Sequence, residues 1–427
     1  MVIPARPLLY ALLIAGATTA NAWELLGEST LEARYFPQQS PFVDWQANGS
    51  LAMELEVMHD WNNRRDFVRF QPYLRLDQHD PERTHGDLAE LAWVHVSRRW
   101  ESRVGVSKVF WGVTEGRHLV DIINQTDLVD QIDEEQKLGQ PMVNVSTIQP
   151  WGVVDLFVLP GFRERTFPGE DGRPRLPVPV DADAARYESG AQQWRTDFAA
   201  RWQLSWGDWQ LALSHFSGTS REPRFTLNLT PAVVASLQTS GTLPPDYQPR
   251  LIPIYEVIDQ SGLELQYLHN SWLLKAEAIS RSGQGQRFEA ADIGFEYTQN
   301  AVFGSNIDIG WIGEYLWENR PSLTASPYDQ DWLVGTRFTF NDVSSSQILA
   351  GLLLDPHTHE KVLNIEASRR LGSQLSLSFE ARYYMDTGNT PSPTELIQAA
   401  LMGKTLDKPL SRLSTEDLVQ LSLTYYF

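Results

Sequence analysis

The chain has 427 residues, a formal net charge of −19 and no cysteine. That balance argues against nucleic acid and against attraction to an anionic surface, and no disulfide framework is available. Carboxylates, amides and Arg interrupt every apolar run after the first, so a helical membrane protein is excluded.

In chain order, Met1 to Ala22 comes first: a short head with Arg6, an apolar run from Leu8 to Ala17, then Ala20-Asn21-Ala22. The run is too short to span a bilayer and ends on a small-x-small site. We expect a secretory signal cleaved after Ala22 and a mature chain over 23–427. From there the apolar residues fall on alternate positions. "STLEARYF" is the first predicted strand; Leu51 to Val57, Val68 to Leu76, Leu88 to Ser97 and Arg103 to Phe110 follow. "MVNVSTI" and "VVDLFVLPGF" form a hairpin hinged at "QPWG". From Gln193 to Trp206, Trp194, Thr196, Phe198, Ala200, Trp202, Leu204 and Trp206 share one face, and Arg195, Asp197, Arg201, Gln203 and Ser205 the other. Gly207-Asp208 turns the chain, with Gly first as a type II′ hairpin requires. The same alternation recurs to the last segment, where Val419, Leu421, Leu423, Tyr425 and Phe427 make an apolar face against Gln420, Ser422, Thr424 and Tyr426.

Strands with two unlike sides suit a wall between two solvents. The 15 Trp, 14 Tyr and 18 Phe, beside a mean hydropathy of −0.32, fit strands of which only every second residue meets lipid. Connections alternate between short turns, such as "WGDW" and "HNS", and long stretches, such as Trp111–Gln140, Arg163–Gly190 and Gly218–Pro253. A periplasmic β-sandwich gives no reason for that alternation. The fold class is therefore all-β: a transmembrane antiparallel β-barrel of about 18 strands, with 16 as the alternative, short turns inside and long loops outside.

The closing pattern of Leu421, Leu423, Tyr425 and Phe427 resembles that of bacterial outer-membrane barrel proteins. The resemblance implies an outer-membrane location, lipid as a partner, and a C-terminal strand read by the barrel-assembly machinery. A narrower likeness lies in "RVGVSKVFWGVTEGRHLVDIINQTDLVD". It is similar to a segment of a proteobacterial outer-membrane family of unknown function, with a Trp-Gly followed by Asp and Asn-x-x-Asp. Here those positions are Trp111, Gly112, Asp121, Asn124 and Asp127, and the family's Asn-Pro is Asn124-Gln125. The architecture also resembles porins, whose third outer loop enters the lumen. By that resemblance Trp111–Gln140 folds inward, with helical pieces near His118–Ile123 and Asp127–Gln136, and forms a constriction around Glu115, Arg117, Asp121, Asn124, Asp127 and Asp130.

Strand positions on the polar face supply the predicted lumen lining: Glu54, Glu56, Arg69, Arg75, Arg201, Glu264, Glu296, Glu314, Arg337, Glu380 and Arg382. Further loop carboxylates, Asp133, Glu134 and Glu135, add to a negative field inside a tube, where rings of charge govern permeation. The resulting expectation is a porin-like channel for small solutes of unspecified identity. The alternative is a plugged barrel that binds or supports through its loops. The sequence carries little for catalysis. His215 and Ser217 in "HFSG" have a lipase-like spacing without the following Asn, and His357 with His359 lacks a third fixed metal ligand. No cofactor is expected, a receptor plug would need more than "WELLGEST" ahead of the barrel, and no face announces an oligomer seam.

Overall fold

A computed structural model describes residues 23–131, 135–320 and 329–427. The expected signal segment lies outside the described residues, as do Asp133 and Glu134. Eighteen strands close into one antiparallel barrel. They are β1 (Glu24–Tyr35), β2 (Ala47–Trp61), β3 (Asp66–Asp77), β4 (His85–Val96), β5 (Trp100–Ser107), β6 (Gln140–Gln149) and β7 (Gly152–Pro160). After a two-residue outer strand β8 (Arg186–Tyr187) come β9 (Thr196–Trp206) and β10 (Trp209–Thr219). Two more outer strands, β11 (Arg224–Leu227) and β12 (Leu251–Tyr255), precede β13 (Val257–His269). The barrel continues through β14 (Trp272–Ser282), β15 (Phe288–Gln299), β16 (Asp308–Glu318), β17 (Gln330–Thr339) and β18 (Gln347–Leu354). It ends with β19 (Lys361–Leu371), β20 (Leu375–Met385) and β21 (Leu418–Tyr426).

Alternation decides which way each side chain points. On β9, Phe198 faces out while Asp197 and Ala199 are buried within; on β21, Leu421 and Leu423 face out while Gln420 and Ser422 are buried. Aromatic pairs line the short-turn end: Trp209 lies tilted against Tyr267 at 4.3 Å between ring centres, and Trp272 against Tyr297 at 4.7 Å. This is the aromatic girdle of a membrane barrel. No helix among the described residues is long and apolar enough to cross a membrane. Pro72 sits in mid-strand, where it can donate no ladder bond, and the β3–β4 register shifts there to absorb it.

The seam that completes the ring joins β1 to β21, from Glu28 opposite Tyr426 to Tyr35 opposite Val419. Phe427 extends it: its N–H donates to the Gly27 carbonyl at 2.9 Å, and its own carbonyl accepts from the Gly27 N–H at 2.9 Å. A Cβ on Gly27 would lie 2.6 Å from the Phe427 ring, so only glycine leaves room for that ring against Leu55.

Two expectations need correction. The lead "WELLGEST" belongs to β1, which starts at Glu24. The third outer loop contains no helix among its described residues, because side chains and distant carboxylates take the N–H groups that a helix would have used internally. The helices stand elsewhere: α1 (Pro231–Ser240), capped by Thr230, and α2 (Pro393–Leu401), with a Ser392–Glu395 capping box. They pack together through Val233, Leu237 and Ile397 above the long-loop mouth, where β8, β11 and β12 form a small sheet.

Gly27→Ala should destabilise the folded barrel by about 1–3 kcal/mol through overpacking against Phe427. In a Phe427→Ala background the same change should cost little. Unfolding of the four variants in detergent, compared as a double-mutant cycle, measures the coupling.

Candidate functional site

The third outer loop runs from the end of β5 to the start of β6, and its neck is stapled by one buried amide. Asn124 Oδ1 accepts from Val109 N at 2.8 Å; its Nδ2 donates to the Ser107 and Leu138 carbonyls at 2.9 and 2.8 Å. The two legs of the loop are thus tied at the level of the strands. Asp121 works nearby, accepting from Trp111 N at 3.3 Å and pairing with Lys137 at 3.3 Å. Burial pushes the Asp121 carboxyl up, and Lys137 opposes that shift. Asp127 accepts from Thr166 Oγ1 at 2.6 Å, which binds this loop to the next outer one. Burial, with Asp130 adding to it, pushes the Asp127 carboxyl up as well. Gly112, at φ +132°, lies so close to Glu277 Oε1 and His118 that a Cβ would meet them at 3.0 and 3.1 Å. The segment of Trp111, Gly112, Asp121, Asn124 and Asp127 is therefore a set of parts that shape the loop.

Beyond the neck the loop is held at two distant places on the wall. Register and burial put Glu277 and Glu314 on the inner face, of β14 and β16 respectively. Glu277 accepts from Val113 N at 2.6 Å, Thr114 N at 3.0 Å, Thr114 Oγ1 at 2.7 Å and Val120 N at 3.2 Å. Glu314 accepts from Glu115 N at 2.8 Å and Gly116 N at 2.7 Å, and Lys275 stands 3.3 Å away. Glu115 itself reaches Arg337 on β17 at 2.6 Å, and Arg117 pairs with Glu318 at 2.9 Å. The second hold is on β1 and β3. Tyr73 donates to Asp130 Oδ2 at 2.6 Å, Arg75 pairs with Asp130 at 2.7 Å, and Arg34 donates to the Asp130 carbonyl at 2.9 Å.

Between these holds the loop's apolar residues join the wall. Trp111, Leu119, Val120, Ile122 and Ile123 form one core with Met142, Phe157, Leu159, Ala199, Phe216, Ile258, Ile279, Phe288 and Ala290. The wall members are inner-face residues of β6, β7, β9, β10, β13, β14 and β15, seven consecutive staves. Open space lies on the other side of the loop. One cavity of about 370 Å³ is bounded by Glu115, Glu135, Arg337, Glu366, Glu380, Ser378, Gln420 and Ser422. A second of about 210 Å³ is bounded by Glu28, Glu32, Glu54, Tyr73, Arg75, Asp130 and Thr424, and shares Gln131, Ser378, Gln420 and Ser422 with the first.

All eleven strand positions singled out from the sequence alternate with outward apolar neighbours, and most are committed to partners. Arg69 pairs with Glu56 at 3.0 Å and Glu90 at 3.2 Å; Arg201 grips Glu264 bidentately at 2.7 and 2.9 Å. Arg382 pairs with Glu380 at 3.3 Å, Gln71 donates to Glu54, and Glu296 approaches Gly310. Sequence reasoning missed Glu32, Arg34, Arg83 and Asp77, which join the predicted Arg75 in a buried network, although Glu32 and Arg34 alternate with Leu31, Ala33 and Tyr35. The residues weighed for catalysis lie apart from all this. His215 faces outward, and its Nδ1 lies 3.0 Å from Ser261 Oγ. Asp355 is occupied by His357 N and by Thr358 through its N and Oγ1. Among the described residues no three His, Asp or Glu side chains converge to hold a metal ion.

The geometry is that of an eighteen-stranded transmembrane β-barrel, and a solved porin structure shares its fold. A BenF-like porin from Pseudomonas fluorescens Pf-5 matches 95% of this chain and 98% of its own at 10% identity, with a TM-score of 0.51. OpdQ of Pseudomonas aeruginosa matches 95% and 97% at 9% identity and 0.49, and OccK11 of the same organism 95% and 96% at 10% and 0.48. At such identities the likeness concerns the fold alone. No family model and no curated protein matches the chain.

Glu277→Ala strands three loop N–H groups, each worth roughly 1–3 kcal/mol if left unpaired. Deuterium uptake at Val113–Val120 should rise while the strand amides stay protected. Lys137→Met tests the Asp121 anchor. A carboxyl whose folded-state affinity for its proton is raised stabilises the fold most at low pH, and that contribution fades as pH climbs through its folded value. Without Lys137 the shift grows, so the variant should lose more thermal stability at pH 7 than at pH 4.

Proposed function

We propose that the protein is a passive channel of the outer membrane, narrowed by an inward-folded third outer loop and biased toward cationic and neutral small solutes. The observation that carries this reading is the lopsided lining. The loop is bonded to β6–β17 on one side and reaches β1 and β3 through Asp130 on the other, which leaves the arc running from β18 through β21 to β1–β3 as the way through. Each of the two cavities on that arc has four carboxylates and one Arg at its edge. Arg337 is engaged by Glu115, and Arg75 by Glu32 and Asp130. Glu28 stands directly opposite Glu54, and Glu366 directly opposite Glu380. Like charges face to face across a ladder are destabilising, and a permeating cation relieves them. The Ser, Gln and Thr of β20 and β21 offer hydroxyl and amide contacts in exchange for a solute's water, with no site deep enough to trap it. The reading involves no bond-breaking step and no cofactor.

Planar-bilayer recording tests it. The purified barrel should conduct steadily, with a reversal potential in a KCl gradient that favours K⁺. Glu366→Gln with Glu380→Gln should roughly halve that preference, and a loop shortened between Val113 and Gln131 should raise conductance. Silence with and without the loop would instead mark a plugged, surface-binding barrel.

A further inference from the structure

The net charge of −19 conceals a local reversal at the short-turn rim. The β2–β3 turn carries Arg64 and Arg65, and the neighbouring β4–β5 turn carries Arg98 and Arg99. A backbone bond laces these turns together, Val96 N donating to the Arg65 carbonyl at 2.6 Å, and Ile148 N on β6 donates to the Arg99 carbonyl at 2.9 Å. The four guanidinium-bearing residues therefore share one sector of the rim. Arg64 pairs with Asp60 at 3.1 Å, yet its side chain stays 85% exposed. Among the described residues, Arg65, Arg98 and Arg99 are exposed and make no ion pair. The other carboxylate of the turn, Asp66, is buried and taken by Asn62, His95 and Trp93 at 2.8, 2.7 and 3.2 Å. Exposed Trp61 and Trp100 flank the patch and mark the membrane interface there.

We propose that this sector is a binding site for the phosphodiester headgroups of anionic phospholipids in the periplasmic leaflet. Guanidinium forks match phosphate oxygens bidentately, and indoles beside them hold the acyl–glycerol boundary at the right depth. Arg64 adopts a left-handed backbone conformation, φ +63°, unusual for a long side chain.

The test uses the full barrel in an uncharged detergent with equal phosphatidylglycerol and phosphatidylethanolamine, and native mass spectrometry to count what is retained. We expect phosphatidylglycerol to be favoured by about tenfold or more, since basic side chains at a membrane surface attract anionic lipid. The preference should shrink with salt and nearly vanish in R64Q/R65Q/R98Q/R99Q. It should persist in R369Q/R370Q, two Arg on another sector of the same rim. Heat-resistant electrophoretic mobility verifies that each variant is folded. Should the fourfold variant not fold, R98Q/R99Q must show an intermediate loss. Equal retention of both lipids, an unaltered preference in the variant, or equal loss in the R369Q/R370Q control would overturn the proposal. So would capture by peptidoglycan sacculi that depends on these Arg in the absence of any lipid preference.

Discussion

Hydrocarbon offers no partner to a peptide group, and that single constraint organises the protein. Strands cannot cross a bilayer with a free edge, so the sheet must return to its own beginning. It does so where Phe427 exchanges both backbone bonds with Gly27. The same rule continues inside the ring. The amides at the loop tip have left the surrounding water, and Glu277 and Glu314 receive them as a sheet neighbour would. Charged acceptors make stronger bonds than carbonyls, which suits a segment with no regular structure of its own.

The interior is consequently divided by chemistry. Across β6 to β15, inner positions carry Met142, Phe157, Phe216, Ile258, Ile279 and Phe288, and the loop supplies the matching apolar surface. Across β18 to β21, inner positions carry Gln347, Glu366, Ser378, Glu380, Gln420 and Ser422, which border an open cavity. A lumen lined evenly by polar residues would hold water everywhere. Here one half is packed like a soluble core, and the open cavities lie toward the seam.

The barrel was legible in the sequence because a period of two survives in nearly every strand and does not depend on distant residues. Strand number, turn positions and the inward charges follow from it. The apolar inner positions were harder. Phe157 and Leu159 continue a run in "VVDLFVLPGF" in which both faces are hydrophobic, so periodicity alone does not separate lipid from buried loop. The anchoring of the loop was not legible at all. It rests on pairings between residues some 160 to 200 positions apart, as from Val113 to Glu277 and from Glu115 to Glu314. The acidic run that drew attention to the loop also misled about its shape. Asp121 and Asn124 read in sequence as residues of a constriction, but their side chains are buried and serve as internal fasteners. The Arg-rich turns at Arg64-Arg65 and Arg98-Arg99 do not show in the net charge, since charge summed over a chain hides where it is concentrated.

The seam has a consequence for the order of events during biogenesis. Thr30 meets Thr424 across a separation of 394 positions, and joining chain segments so remote costs about 5 kcal/mol of loop entropy before any contact rewards it. Neighbouring hairpins, linked by two to eight residues, register far sooner. A nascent chain therefore accumulates as an open, curling ribbon with its first and last edges unsatisfied. Until the aromatic end arrives, that ribbon exposes two long pairing surfaces to any other unfinished copy. Shielding them is a burden that falls on whatever escorts the chain.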